Sequence, residues 1–134
     1  MIRVSAALIF DDSGHFLIAQ RSRGKLAGKW EFPGGKIETD ETEKEAIARE
    51  MMEELAITVL PKKIVGVFSH TYKEQEIELS LVYCIFLGNM KDLVSDGSHL
   101  QHSWIGFEQT DDFDFAPLDR KIVEFLQQTK NAPK

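Results

Sequence analysis

Between Gly35 and Ile57 the chain reads GGKIETDETEKEAIAREMMEELAI from Gly34 onward, and this stretch limits the possible folds more than any other. It closes on Arg49-Glu50-Met51-Met52-Glu53-Glu54, with Glu41 and a double glycine upstream. Successive residues of a helix turn by about 100°. Glu50, Glu53 and Glu54 therefore share one arc, while Ile47, Met51 and Leu55 fill the neighbouring one, where a core-facing stripe belongs. Like charges at i, i+3 and i+4 repel by a few tenths of a kcal/mol per pair. A helix that keeps three carboxylates beside its buried stripe is best explained by a cation placed against them. Oxygen-only ligation suits Mg²⁺ or Mn²⁺, the ions that travel with phosphates. A solvated acidic face is the bland alternative, and it would not fix the glycine and glutamate upstream.

The rest of the chain fits a small soluble α/β enzyme. Its 134 residues suit one domain spanning 1–134. A net charge of −6 argues against a partner that is a nucleic acid polymer, though not against a nucleotide whose phosphates a metal neutralises. Cys84, the single cysteine, lies in the apolar run Leu81–Leu87 and reads as a core thiol in a reducing compartment. No signal peptide or stretch of membrane-spanning length is visible, so no membrane partner and a cytoplasmic location are expected.

Val4–Phe10 and Phe16–Arg21 read as strands of a hairpin around Asp11-Asp12-Ser13-Gly14. A loop from Arg21 to Lys29 leads into Trp30-Glu31-Phe32, and Pro33-Gly34-Gly35 reads as a break in regular structure. Thr42-Glu43-Lys44-Glu45 matches a capping box and predicts a helix from Thr42 to Leu55. Ile64–Thr71 and Ile77–Leu87 predict strands, followed by the polar stretch Asn89–Gln101 and a short strand over His102–Gly106. Asp119 occupies an N-cap position before an amphipathic helix running to Gln128. The expected fold is a mixed sheet between two main helices.

The spacing of Gly35, Glu41, Arg49, Glu50, Met51, Glu53, Glu54 and Ile57 resembles the Nudix box, here residues 35–57. Ala56 departs from the glycine usual after the helix, a left-handed position that costs alanine roughly 1 kcal/mol. The resemblance implies the Nudix α/β/α sandwich and hydrolysis of a phosphoanhydride with Mg²⁺ or Mn²⁺. It implies Glu50 and Glu54 as metal ligands, Glu53 as ligand or base, and a metal contact from the Gly35 carbonyl. Arg49 and Glu41 would brace the helix and the loop around those ligands.

The likeness continues over nearly the whole chain. Trp30–Glu38 is similar to the segment entering the box in MutT-type and CTP-type nucleoside triphosphate pyrophosphohydrolases, which release a nucleoside monophosphate and pyrophosphate. In that group an arginine ending the second strand contacts phosphate, which points to Arg21, with Arg23 or Lys25 as substitutes. Pro117-Leu118-Asp119 matches an element that reads the base. An ionised Asp119 would accept from an exocyclic amine such as cytosine N4 or adenine N6. Phe32, Phe68 and Tyr83 are the aromatics available to stack on a base. Relatives often carry a further glutamate six residues before the tryptophan matching Trp104, where this chain has Ser98. Asp96 or His99 takes over that role, or Glu53 works alone.

A nucleoside triphosphate hydrolase is the expected function, acting on CTP-like, modified or several nucleotides. A nucleotide-binding module without turnover and a hydrolase of nucleoside diphosphate derivatives such as ADP-ribose are the alternatives. The oligomer would be a monomer or a homodimer.

Overall fold

The structure, a computed structural model, describes residues 1–88, 97 and 99–129. Asp96 and Ser98, the positions bearing on the missing glutamate, lie outside the described residues. Among the described residues, seven strands form two sheets. The first is mixed, in the order β4 (Gly34–Lys36), β1 (Ile2–Ile9), β6 (Gln75–Leu87), β5 (Thr58–Tyr72). β1 runs parallel to β6, and the other pairs are antiparallel. The second is antiparallel, in the order β3 (Trp30–Glu31), β2 (Phe16–Arg21), β7 (His99–Ile105). Helices α1 (Glu43–Leu55) and α2 (Pro117–Thr129) complete the fold, with a short 3₁₀ helix at Phe107–Asp112.

Alternation along β1 shows why this sequence forms layers. Ala6 and Leu8 belong to a core cluster with α2 residues Leu118, Ile122, Val123 and Leu126. Ala7 and Ile9 belong to a second cluster with α1 residues Ile47, Met51 and Leu55. Both faces of the strand are buried, so its run of small and branched apolar residues has no polar alternate. The expected mixed sheet between two helices is present.

Four local expectations change, one being that the strand expected over Ile64–Thr71 starts at Thr58. β1 and β2 are not a two-stranded hairpin: the turn forms, with Asp11 accepting from the amides of Ser13 and His15, but the strands diverge into different sheets. An isolated bridge between Phe10 and Phe16 and the Asp11 amide on the His15 carbonyl join their ends. Gly34 and Gly35 do not break the chain but form an edge strand opposite Ala6 and Ser5. The final strand starts at His99 rather than His102, because a register shift beside Gln20 and Arg21 extends its pairing with β2.

Candidate active site on the carboxylate face of α1

Thr42 caps α1 with its hydroxyl on the Glu45 amide at 3.1 Å, and the Glu45 carboxylate returns to the Thr42 amide at 2.8 Å. The reciprocal pair fixes the helix start and therefore its rotation. Ile47, Met51 and Leu55 are fully buried, and the three carboxylates emerge beside them. Glu54 is buried, Glu50 is largely covered, and Glu53 is exposed. At the other end Ala56 takes the left-handed conformation, φ 57° and ψ 34°, and its amide donates to the carbonyls of Met51 and Met52.

Arg49 organises this face. Its Nε and Nη2 form a fork on the Glu41 carboxylate at 2.6 and 3.0 Å, and Nη2 also reaches the Lys36 carbonyl at 3.0 Å. Nη1 donates to Glu50 Oε1 at 2.9 Å and to Glu53 Oε1 at 3.0 Å. The fork holds the Glu41 carboxyl below its ordinary range, helped by the Glu38 amide. Glu41, and secondarily Glu50, raise the affinity of Arg49 for its proton, against the effect of burial.

Gly35 meets this face through what it lacks. A Cβ there would lie 2.4 Å from the Glu50 carboxyl carbon, and one on Gly34 would lie 2.0 Å from the Ser5 carbonyl oxygen. These glycines serve close approach, so the double glycine is explained by space and not by a turn. No three metal-ligating side chains converge into a ready-made site among the described residues. Glu50 and Glu53 turn one oxygen each toward Arg49 instead. The donor set nevertheless fits a hard divalent ion: oxygen ligands only, on one helix face, with Glu50 seated in a space that a side chain at position 35 would close.

A cavity of about 140 Å³ adjoins this face, roughly ten times what one water requires. Gly34 and Gly35 line it, as do Arg21, Glu31, Tyr72 and Asp119. Asp119 is in the third position of α2, not at its N-cap, which is Ala116 by the bond from the Arg120 amide. Its Oδ1 accepts from the Phe32 amide at 3.0 Å. Burial pushes the Asp119 carboxyl well above its ordinary range, and the nearby Glu31 adds to the shift. Burial and Glu31 thus oppose the ionised form expected of this carboxyl, while the Phe32 amide and Arg21 favour it.

The other anticipated residues divide. Arg21 reaches the cavity, with Nη1 on Glu31 Oε1 at 3.1 Å. Arg23 is exposed and does not line it. Phe32 lines the cavity, with its ring 3% exposed and stacked on Phe16 at a centroid distance of 5.6 Å. Its contribution is the amide that holds Asp119. Phe68 packs against Phe125 and Tyr83 against Phe10, both away from the cavity lining. His99 is turned into the second sheet, with Nε2 3.0 Å from Glu31 Oε2. Sequence reasoning missed Glu31 and Tyr72. Tyr72 closes the β5 side, and its hydroxyl accepts from the Leu118 amide at 3.0 Å. The alternation of β5 marks its tip as half-buried, but nothing local shows that α2 docks there.

The NUDIX domain family matches residues 5–125. The chain belongs to the Nudix hydrolase family. It is 33% identical to a CTP pyrophosphohydrolase of Escherichia coli (strain K12) over 92% of this chain and 90% of that one. It is 36% identical to an 8-oxo-dGTP diphosphatase of Proteus vulgaris over 59% of this chain and 71% of that one. The fold superposes on the crystal structure of a MutT protein from Methanosarcina mazei Go1 with a TM-score of 0.85. That match has 27% identity and covers 98% of this chain and 96% of the other. This Nudix hydrolase thus has nucleotide pyrophosphohydrolases among its relatives. Among its described residues, no helix is long and apolar enough to cross a membrane.

Proposed function

We propose that this Nudix hydrolase is a single Nudix unit that splits nucleoside triphosphates into a nucleoside monophosphate and pyrophosphate, with Mg²⁺ or Mn²⁺, in the reducing cytoplasm. The observation that carries the reading is the shared border of cavity and helix. Gly34 and Gly35 line the cavity, and the Glu50 carboxylate is seated on Gly35. A nucleotide whose base and sugar occupy the cavity would have its phosphates led along the glycine strand toward Glu50, Glu53 and Glu54.

Glu50 and Glu54, with the Gly35 carbonyl, would hold the ion, with Glu53 as a further ligand or the base. When bound, the ion neutralises phosphate oxygens and makes a water more acidic. Glu53, the most exposed of the three, takes a proton from the attacking water. Arg49 and Glu41 keep the carboxylates in place. Arg21 donates to an oxygen of the nucleotide. Asp119 in its protonated form would offer a donor beside an acceptor, as an amide does. It suits a base edge that also pairs the two, which cytosine and oxidised guanine both present. This widens the expected substrates beyond bases with an exocyclic amine.

A product-resolved screen of ordinary and oxidised nucleoside triphosphates tests the reading. The expected products are monophosphate and pyrophosphate, at millimolar Mg²⁺ or Mn²⁺. Glu54→Gln should lose most of the rate while the protein stays folded. Full turnover in excess EDTA would rule the mechanism out. Binding without turnover would leave a nucleotide-binding module, and cleavage of ADP-ribose alone would move the substrate class.

A further inference from the structure

We propose that His99 is a positioning residue for the nucleotide pocket, acting through Glu31 on Arg21, and not a substitute for the missing metal-side glutamate. The inference rests on the nucleotide hydrolase reading above. Arg21, Glu31 and His99 come from β2, β3 and β7, adjacent strands of the antiparallel sheet. The helix bearing Glu50, Glu53 and Glu54 packs on strands of the other sheet. The register shift at Gln20/Arg21 brings Arg21 opposite His99.

Among the described residues the two Glu31 oxygens are held separately: Oε1 takes Arg21 Nη1 at 3.1 Å and Oε2 meets His99 Nε2 at 3.0 Å. A carboxylate only accepts, so the Nε2 proton lies on His99. The His99 side chain is 3% exposed and its ring lies 5.4 Å from that of His102, which leaves it little freedom to turn away. Arg21 Nε is buried and has no hydrogen-bond partner among the described residues, although Arg21 lines the cavity. An unsatisfied buried N–H next to a cavity is the state that a ligand oxygen relieves. His99 thus fixes the carboxylate that aims this donor. Without it Glu31 can rotate, and the guanidinium loses its orientation while the metal helix is untouched.

Steady-state kinetics of the full chain with CTP and with 8-oxo-dGTP provide the test. His99→Ala should raise KM about 10-fold with kcat held within about 3-fold, the pattern of lost binding and not of lost chemistry. The Mg²⁺ concentration for half-maximal rate should not move. His99→Gln, which can place an amide N–H near Oε2, should recover most of the KM. Combining Glu31→Gln with His99→Ala should add little to either alone, because both break one chain of contacts. In the otherwise native protein, Glu31→Gln should move the His99 imidazole ¹⁵N resonances. A loss of kcat of about 100-fold at constant KM, a changed Mg²⁺ requirement, or unmoved resonances would overturn the assignment and leave the hydrolase reading intact. A wild-type chain inactive on every nucleoside triphosphate would overturn both.

Discussion

At Gly35 an added methyl group would have to displace the Glu50 carboxylate, since its Cβ would lie 2.4 Å from the carboxyl carbon. The obstacle is the end of a flexible side chain, so the backbone can stay where it is. Gly35→Ala should therefore cost little in melting temperature but at least about tenfold in kcat/KM, through a misplaced group at the reacting centre. Equal kcat/KM in the variant would show that Glu50 does not need its seat. Asp119 makes a different prediction. Its carboxyl is raised above the ordinary 3.8 by burial and by Glu31. Its stabilising contribution is complete below the unfolded value and is lost as pH rises toward the raised folded value. Asp119→Asn keeps an oxygen for the Phe32 amide and removes the ionisation. The variant should gain melting temperature relative to wild type as pH increases from 4 to 8 (a range set by the unfolded value near 4). A constant difference across that range would place the proton elsewhere. That Asp119 borders the cavity was anticipated from Pro117-Leu118-Asp119, but its place inside the helix and the shift of its carboxyl were not. That shift comes first from burial and then from Glu31, a residue near in space and remote in sequence.

Among the elements, α1 could be read almost to the residue because its signals are local: apolar spacing, a capping box, and a misfit at its exit. The misfit is now visible as Ala56 at φ 57°. Ala56→Gly should stabilise the protein by about 1 kcal/mol, or about 3 °C in melting temperature for a domain of this size. No gain in a thermal melt would mean that the strain is relieved elsewhere. The strands were legible as strands but not as partners. Asp11-Asp12-Ser13-Gly14 does reverse the chain, as its composition indicates. Which sheet receives Val4–Ile9 is decided by Leu79, Leu81 and Val82, which pack and pair with it from across the chain. Gly34 and Gly35 were misread for the same reason. Two glycines after a proline favour a turn by local propensity, and only the backbone of β1 beside them shows that a flat, close approach was required.

Taken whole, the molecule is two apolar clusters separated by a layer of sheet, and β1 contributes to both. Global unfolding should be needed to expose its amides, whereas β4 is a three-residue edge. Native-state hydrogen exchange should find Ala7–Ile9 among the slowest amides and Gly34–Lys36 among the fastest of the strands. Protection of β4 equal to that of β1 would contradict this layering. The same topology has a consequence in time. Ile2 pairs with Ile77 in the parallel ladder, so a nascent chain makes β1 first and its partner much later. At roughly 5–20 residues per second of synthesis, β1 waits on the order of ten seconds as an apolar strand whose β6 edge is unpaired. During that interval it is a natural client for a ribosome-associated chaperone. Asp119 follows β6 in the chain, so the cavity that it lines together with β1 residues closes later than the parallel pairing.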